Sequence, residues 1–390
     1  MRAMQEEKKA FRIAGHQPGL DGVRGLAIIG VMAVHFLHVT STHNLLEKVV
    51  TTVASYGVLG VDLFFVLSGF LITGILIDCK GTPNYFRNFY ARRTLRIFPL
   101  YFGVLALLFQ VLPLFIQLDP HLEVAREKQV WLWTYTANFL ISKTGTWSLG
   151  PVSHFWTLAI EEHFYIFWPL VVFLAKPRLM ERICVGVIIM ALALRLVLSA
   201  LGESEISIGV LTPCRIDAMC AGGLMASIIR RSVHTETIFR RAAAGMMVLT
   251  GIIITLTVAG KLFPQAARYL LQVRGSFVAL LFAAFTVMSL KQPWRPKLVG
   301  NFLENRFLRF LGKYSYGLYV YHGILAMYFH REMTAMITGI VGHPTLALFI
   351  KALIGSTISL GIAWVSYEVF EKKFLAMKRY FEARKPSAEA

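Results

Sequence analysis

Ten apolar runs of bilayer-spanning length, bounded by clusters of charge, limit what this 390-residue chain can fold into. They fall roughly at 22–41, 55–77, 97–116, 154–175, 183–201, 209–229, 242–260, 271–290, 314–331 and 345–368. A helix needs about 20 mostly apolar residues to cross a hydrocarbon core of about 30 Å, and it satisfies its backbone polar groups within the segment. The runs therefore predict an all-α, polytopic integral membrane protein of about ten transmembrane helices, with the lipid bilayer as its solvent. Composition agrees: 56% of residues are hydrophobic, 29 are Phe, and the mean hydropathy is +0.59. One compact core would not hide that much apolar surface.

The net charge is +18, from 40 Lys and Arg against 22 Asp and Glu, and its placement explains it. Connections after odd-numbered runs hold 7 basic residues, whereas those after even-numbered runs, with the two tails, hold 29. The positive-inside rule assigns the richer side to the cytoplasm, so both termini are expected there. A nucleic-acid groove would need polar surface to display its charge, and no nucleic-acid partner is expected. Cys79, Cys184, Cys214 and Cys220 are scattered and form no CxxC pair, so they read as packing residues, and no metal site is expected. The basic stretch 1–21 lacks a small-residue cleavage site after it and reads as a retained cytoplasmic tail, followed by a membrane domain at 22–368 and a basic tail at 369–390. No soluble second domain is expected. The absence of an internal repeat weighs against a transporter built from inverted halves.

Ionisable side chains inside the runs carry the next signal, because each costs about 2.5–3.5 kcal/mol at a helix centre. His35, Asp62, Glu161, Glu162, Arg195, Arg215, Asp217, Arg274 and His322 all fall there. Interhelical pairing is the plain reading for any one of them, but their depth is more telling. Arg24 and His35 are eleven residues apart, which leaves them about 20° apart on one helix face and about 16 Å apart along its axis. With Arg24 at the cytoplasmic interface, His35 lies beyond the midplane. Asp62 on the second helix and Glu161 with Glu162 on the fourth reach the same outer half. An imidazole and several carboxylates in one layer are what a buried general base with an orienting acid requires. Towards the cytoplasm, Arg87, Arg92, Arg93 and Arg96 precede Ile97-Phe98-Pro99. Topological charge is the plain reading of this cluster, and guanidinium groups at a cavity mouth also suit phosphates.

These blocks resemble the membrane acyltransferase-3 family, integral-membrane proteins of bacteria that O-acylate sugars. Leu20-Asp21-Gly22-Val23-Arg24-Gly25 followed by His35 is similar to the family's arginine, ten residues, histidine signature. Gly60 to Ile72, Arg92 to Tyr101 and His154 to Tyr165 resemble three further blocks, and fainter echoes lie at Arg215-Ile216-Asp217, Ser315 to His322 and Tyr367 to Glu371. Thr157 stands where the family usually has serine, His163 where it has glutamine, and Lys373 where a proline commonly follows the last glutamate. The resemblance implies acyl-CoA, most simply acetyl-CoA, as donor substrate with no tightly bound cofactor. It implies that Arg24 and His35 are required, and that the arginine block lies near the nucleotide end, with Ser68 of the second block assigned to the same donor. Trp156, Arg215, Asp217 and His322 are assigned to a carbohydrate or glycolipid acceptor, and the membrane is expected to be the bacterial inner membrane. Some family members carry an extracytoplasmic hydrolase-like domain; this sequence, ending at Ala390, is expected to have none.

The resulting expectation is that Arg24, Arg92, Arg93 and Arg96 hold phosphates while the thioester reaches His35, which takes the acceptor hydroxyl's proton. Glu161, Glu162 or Asp62 would orient that histidine, and a covalent acyl-histidine step is an open variant. Two decoys are set aside. His35 and His38 at i, i+3 lack a matched third metal ligand. His16 and Asp21 have the HxxxxD spacing of glycerolipid acyltransferases, but Pro18 and Gly19 intervene and no companion phosphate block follows. The alternative from another class is a transporter that uses the buried His, Glu and Arg as a substrate or proton path.

Overall fold

The computed structural model describes residues 16–382 except positions 40, 41, 43, 292, 294 and 331. The outer parts of both tails and Arg331 of the ninth connection, counted above, lie outside the described residues. Among the described residues the chain is helical and contains no strand.

Every predicted run meets a helix: α1 Pro18–Phe36, α3 Leu59–Cys79, α4 Tyr85–Ala106, α5 Trp156–Leu174, α6 Pro177–Ala200, α7 Thr212–Arg231, α8 Thr235–Leu262, α9 Ala267–Met288, α10 Arg306–His330 and α11 Pro344–Ser366. A helix not predicted, α2 (Leu45–Ser55), leads through one tight turn, Tyr56–Val58, into α3. Together they make an apolar segment of 35 residues. Asn44 starts α2 by accepting the Glu47 N–H at 2.9 Å, whereas Pro177 and Pro344 open α6 and α11, where a missing N–H costs nothing.

Eight of these helical segments are long and apolar enough to cross a membrane. The other two runs form α7 and α10, of 20 and 25 residues, which are long enough but carry too much polarity. Arg215, Asp217, Arg230 and Arg231 lie on α7, and Arg306, Arg309, Lys313 and His322 on α10. The helix predicted to reach residue 41 ends at Phe36, so His38 lies beyond it.

The chain divides into two compact units, each described separately. The first contains the described part of Met1–Arg24, Asp62–Thr82 and Ile160–Arg309, hence most of α3 and α5 and all of α6 to α9. Here Gly69 meets the Met219 backbone and Gly222 the Val66 backbone, so α3 and α7 pack at backbone contact, as small residues allow between membrane helices. Only 6% of the most apolar window of α8 is buried within the protein, which leaves its surface to lipid.

The second unit contains Gly25–Val61, Pro83–Ala159 and Phe310–Ala390 as far as described. It holds the rest of α1, with α2, α4, most of α10 and all of α11. Gly30 of α1 and Gly57 after α2 meet backbone to backbone, which brings the start of α3 close to α1. Between α4 and α5 the chain forms short helices and a 3-10 segment, Gly150–Phe155, whose residues Pro151 to Phe155 are buried.

Candidate active site

Three imidazoles meet in the second unit. His35 comes from the last turn of α1, His154 from the 3-10 segment before α5, and His322 from α10. The His322 ring lies 5.0 Å from that of His35 and 5.2 Å from that of His154, centroid to centroid. The approach of His154 to α10 depends on Gly323, because a Cβ there would enter the His154 ring. A cavity of about 380 Å³ opens beside them, lined by His35, His154, Trp156, Tyr319 and the half-exposed Trp147, with valines of α1 and the start of α3 completing an apolar wall.

Hydrogen bonds fix the protons on two of the rings. A carbonyl oxygen only accepts, so His322 Nδ1–H donates to the carbonyls of Tyr319 (2.7 Å) and Leu318 (3.1 Å), and His154 Nε2–H donates to Val320 (3.2 Å). In the neutral ring, His322 Nε2 is then a bare lone pair. His322 is fully buried and its Nε2 has no hydrogen-bond partner. Tyr319 Oη and Thr157 Oγ1 lie 2.9 and 3.1 Å from the His154 carbonyl and 2.6 Å from each other, so one hydroxyl donates to the carbonyl and the other to its neighbour. The hydroxyl that replaces the family's serine thus supports the chain carrying His154. Among the described residues no group of three or more His, Cys, Asp or Glu is arranged to hold a metal ion.

Beyond α1, the buried Lys351 of α11 donates to the His38 carbonyl at 3.1 Å. One turn along α11, Gly355 receives the Phe36 ring. Both neighbours of His35's helix end are thereby held by one element.

Asp62, Ser68, Glu161, Glu162, Arg215 and Asp217 lie in the first unit, whereas the arginine block of α4 lies in the second. Arg215 pairs with Asp62 at 2.6 Å, and the buried Arg195 pairs with the buried Asp217 at 2.8 Å. Arg195 also donates to Ser276 and to the Cys214 carbonyl. Ser68 Oγ donates to Glu161 at 2.5 Å and accepts from Tyr165 at 3.1 Å, Glu162 is buried, and His163 bonds Thr212 at 2.8 Å. Asp62, Glu161, Glu162, Ser68, Arg215 and Asp217 thus belong to the first unit, while His35, His322 and Trp156 belong to the second.

Arg24 bonds Asp21 at 2.8 Å. Pro18 opens α1, and His16 Nε2 reaches the other Asp21 oxygen at 2.5 Å across the intervening Pro18 and Gly19. That carboxylate is therefore shared with Arg24. On α4, Arg92 is exposed whereas Arg93 and Arg96 are half-buried. Arg96 lines a cleft with Lys313, Tyr314, Tyr316 and Glu371.

His154 received no role from the sequence, although it opens the fourth block. The signal was its place beside Trp156, but its meeting with α10 needs the packing at Gly323. The His35–His38 metal pair has no helical basis, since α1 stops between them.

The family model described as an acyltransferase domain matches residues 17–368. An "O-acetyltransferase OatA" of Staphylococcus aureus (strain NCTC 8325 / PS 47) is 28% identical over 326 residues, covering 78% of this chain and 50% of that protein. The "Peptidoglycan O-acetyltransferase OatA" of Listeria monocytogenes is 26% identical, covering 78% and 48%, and the "Putative O-acetyltransferase SAS0844" of Staphylococcus aureus (strain MSSA476) is 27% identical, covering 81% and 51%. The chain spans about half the length of these curated relatives. No solved structure matches it. With helices of membrane length throughout and a family match over nearly the whole sequence, this multi-pass membrane protein belongs to the acyltransferase-3 family.

Proposed function

We propose that the protein is an integral-membrane O-acyltransferase of the bacterial plasma membrane, with about ten spans and both termini cytoplasmic. It would move an acyl group, acetyl to judge by its relatives' names, from acyl-CoA to a hydroxyl of a cell-envelope or secreted carbohydrate or glycolipid. The name of the Listeria relative makes peptidoglycan the first acceptor to try. The observation that carries this reading is His35 on the wall of a cavity, backed by two further imidazoles whose N–H groups are spent on backbone carbonyls.

In the reaction so read, a bare nitrogen of His35 takes the proton of the acceptor hydroxyl. The oxygen attacks the thioester carbonyl, the C–S bond breaks, and the departing thiolate receives the proton from His35. Ester and free thiol are the products. Trp156 and Trp147 offer flat apolar faces to a sugar ring. Arg24, Arg92, Arg93 and Arg96 are the phosphate ligands in this scheme, and an extended pantetheine arm is about as long as the axial step of about 16 Å from Arg24 to His35 along α1. The charge split supports the orientation, since it sets the arginine block on the side where CoA is found.

The test is thiol release from acetyl-CoA by purified protein supplied with soluble peptidoglycan fragments, with acetyl ester measured in parallel. A general base contributes typically 10²–10⁴-fold, so His35→Ala should lose transfer by that order while still binding CoA. Near-normal acylation by His35→Ala at equal protein level would place the base elsewhere. Uptake of a solute without any thiol release would favour a transporter.

A further inference from the structure

We infer that His322 is the positioning residue for His35: its bare Nε2 accepts the one N–H that a neutral His35 carries, which leaves the other His35 nitrogen free to face the cavity. The inference deepens the reading of His35 as base and rests on it for its catalytic consequence, though not for its geometry.

His322 Nε2 is a fully buried acceptor without a partner, and a buried polar atom left so is destabilising. Its ring is fixed at the other nitrogen, where Nδ1–H reaches two carbonyls of the preceding turn, so it cannot rotate to find a donor without breaking those bonds. Of the two rings beside it, His154 faces backbone carbonyls, those of Val320, Pro151 and Tyr319, and spends its single neutral proton there. Only His35 has a ring N–H left to offer. An N–H···N bond of about 2.9 Å with two ring radii of roughly 1.1 Å spans about 5 Å. The His35 and His322 centroids lie 5.0 Å apart.

The consequence is a division of labour between the two nitrogens of His35. Neutral imidazole has one donor and one acceptor, and whichever partner claims the donor decides which nitrogen is basic. His322 claims it on the side away from the cavity. When His35 takes the hydroxyl proton, the N–H towards His322 belongs to a cation, and hydrogen bonds from an ionised donor are roughly twice as strong. His322 itself gains no proton; it steadies the imidazolium until the thiolate collects the proton. An imidazole then does the orienting that the sequence had assigned to a carboxylate.

Two substitutions separate this role from a merely structural one. Asparagine at 322 can replace Nδ1 and keep the bond to the backbone, but it leaves no acceptor at the Nε2 position. Glutamine reaches the Nε2 position with its carbonyl oxygen and gives up the backbone bond. Acetyl ester formed in membranes from cells making equal protein should fall by about 10²-fold or more in His322→Asn, and His322→Gln should recover most of it through kcat with little change in KM. The reverse ranking overturns the proposal. A second readout needs no turnover: ¹⁵N spectra of histidine-labelled protein in lipid at about pH 8, where free imidazole is neutral, with the His35 signals assigned by their loss in His35→Ala. The wild type should show His35 as a single tautomer and His322→Asn a mixture. A tautomer mixture in the wild type, or an unchanged tautomer in His322→Asn, overturns it whether or not the variants are active. Full activity in His35→Ala would sink the base reading alone and leave the spectra to decide the tautomer.

Discussion

Replacing Gly355 by alanine should cripple acyl transfer although residue 355 itself never touches a substrate. A Cβ at Gly355 would stand 2.5 Å from Phe36 Cε1 and 2.6 Å from Cδ1, whereas ordinary contact begins near 3.4 Å. The ring or the helix must therefore give by about 0.9 Å, the difference between those two distances. Phe36 is only 1% exposed, so the ring has no open side to turn into, and the shift passes to the end of α1 where His35 is the adjacent residue. Overpacking of this kind costs about 1–3 kcal/mol, offset by up to about 1 kcal/mol because alanine suits a helix better than glycine. Stability should fall modestly. Activity should fall further, since a misplacement of about 1 Å at a reacting group can cost on the order of 10²-fold. The assay is acetyl ester formed per unit of inserted protein, alongside thermal unfolding in detergent. Gly361→Ala on the same helix, where nothing lies within 4 Å of the new methyl, is the control and should be neutral or slightly stabilising. Phe36→Leu combined with Gly355→Ala should restore a good part of the rate. Activity of Gly355→Ala within about twofold of wild type would refute the claim that this contact positions His35.

Three other outcomes follow from the fold and the charge pattern. Removing Arg92, Arg93 and Arg96 together should raise the KM for acyl-CoA more than it lowers kcat, as loss of uniform binding does, and an unchanged KM in inserted protein would return the cluster to a topological role. Asp217→Asn leaves the buried Arg195 without its counter-charge and should cost about 3–5 kcal/mol, measured as detergent-dependent unfolding; replacing both partners by apolar residues should cost less. Reporter fusions at Asn305 and Glu123 should report opposite sides of the membrane, and agreement between them would break the charge-based topology.

The fold was legible because span length and apolarity act locally: each run needs only its own residues to be recognised. Helix ends were less so. The end of α1 at Phe36 is accompanied by the Lys351 tether on the His38 carbonyl, 313 residues away in sequence, and no periodicity in residues 22–41 announces it. Arg24 and His35 could be related from spacing because one helix carries both. The company His35 keeps could not, since His154 and His322 reach it through packing that turns on a missing Cβ at Gly323. Depth counting placed Asp62 and Glu161 in a layer, but it could not show that Arg215 and Ser68 already hold them. α7 and α10 were found as runs despite their charge, because a run is judged by its flanks as well as its content.

The polarity of α7 bears on how the protein is made. A segment with Arg215 and Asp217 in its first third and Arg230 and Arg231 at its end is a poor candidate for leaving the translocon alone, because a charge costs up to about 2.5–3.5 kcal/mol in the bilayer core. α6, emerging just before it, carries Arg195, itself equally unwelcome in lipid and paired with Asp217 in the finished protein. Each helix neutralises the defect of the other. Biogenesis should therefore treat the two as a hairpin that partitions together, with Arg195 and Asp217 joined before either meets hydrocarbon, and a chain truncated between them would strand α6 at the gate.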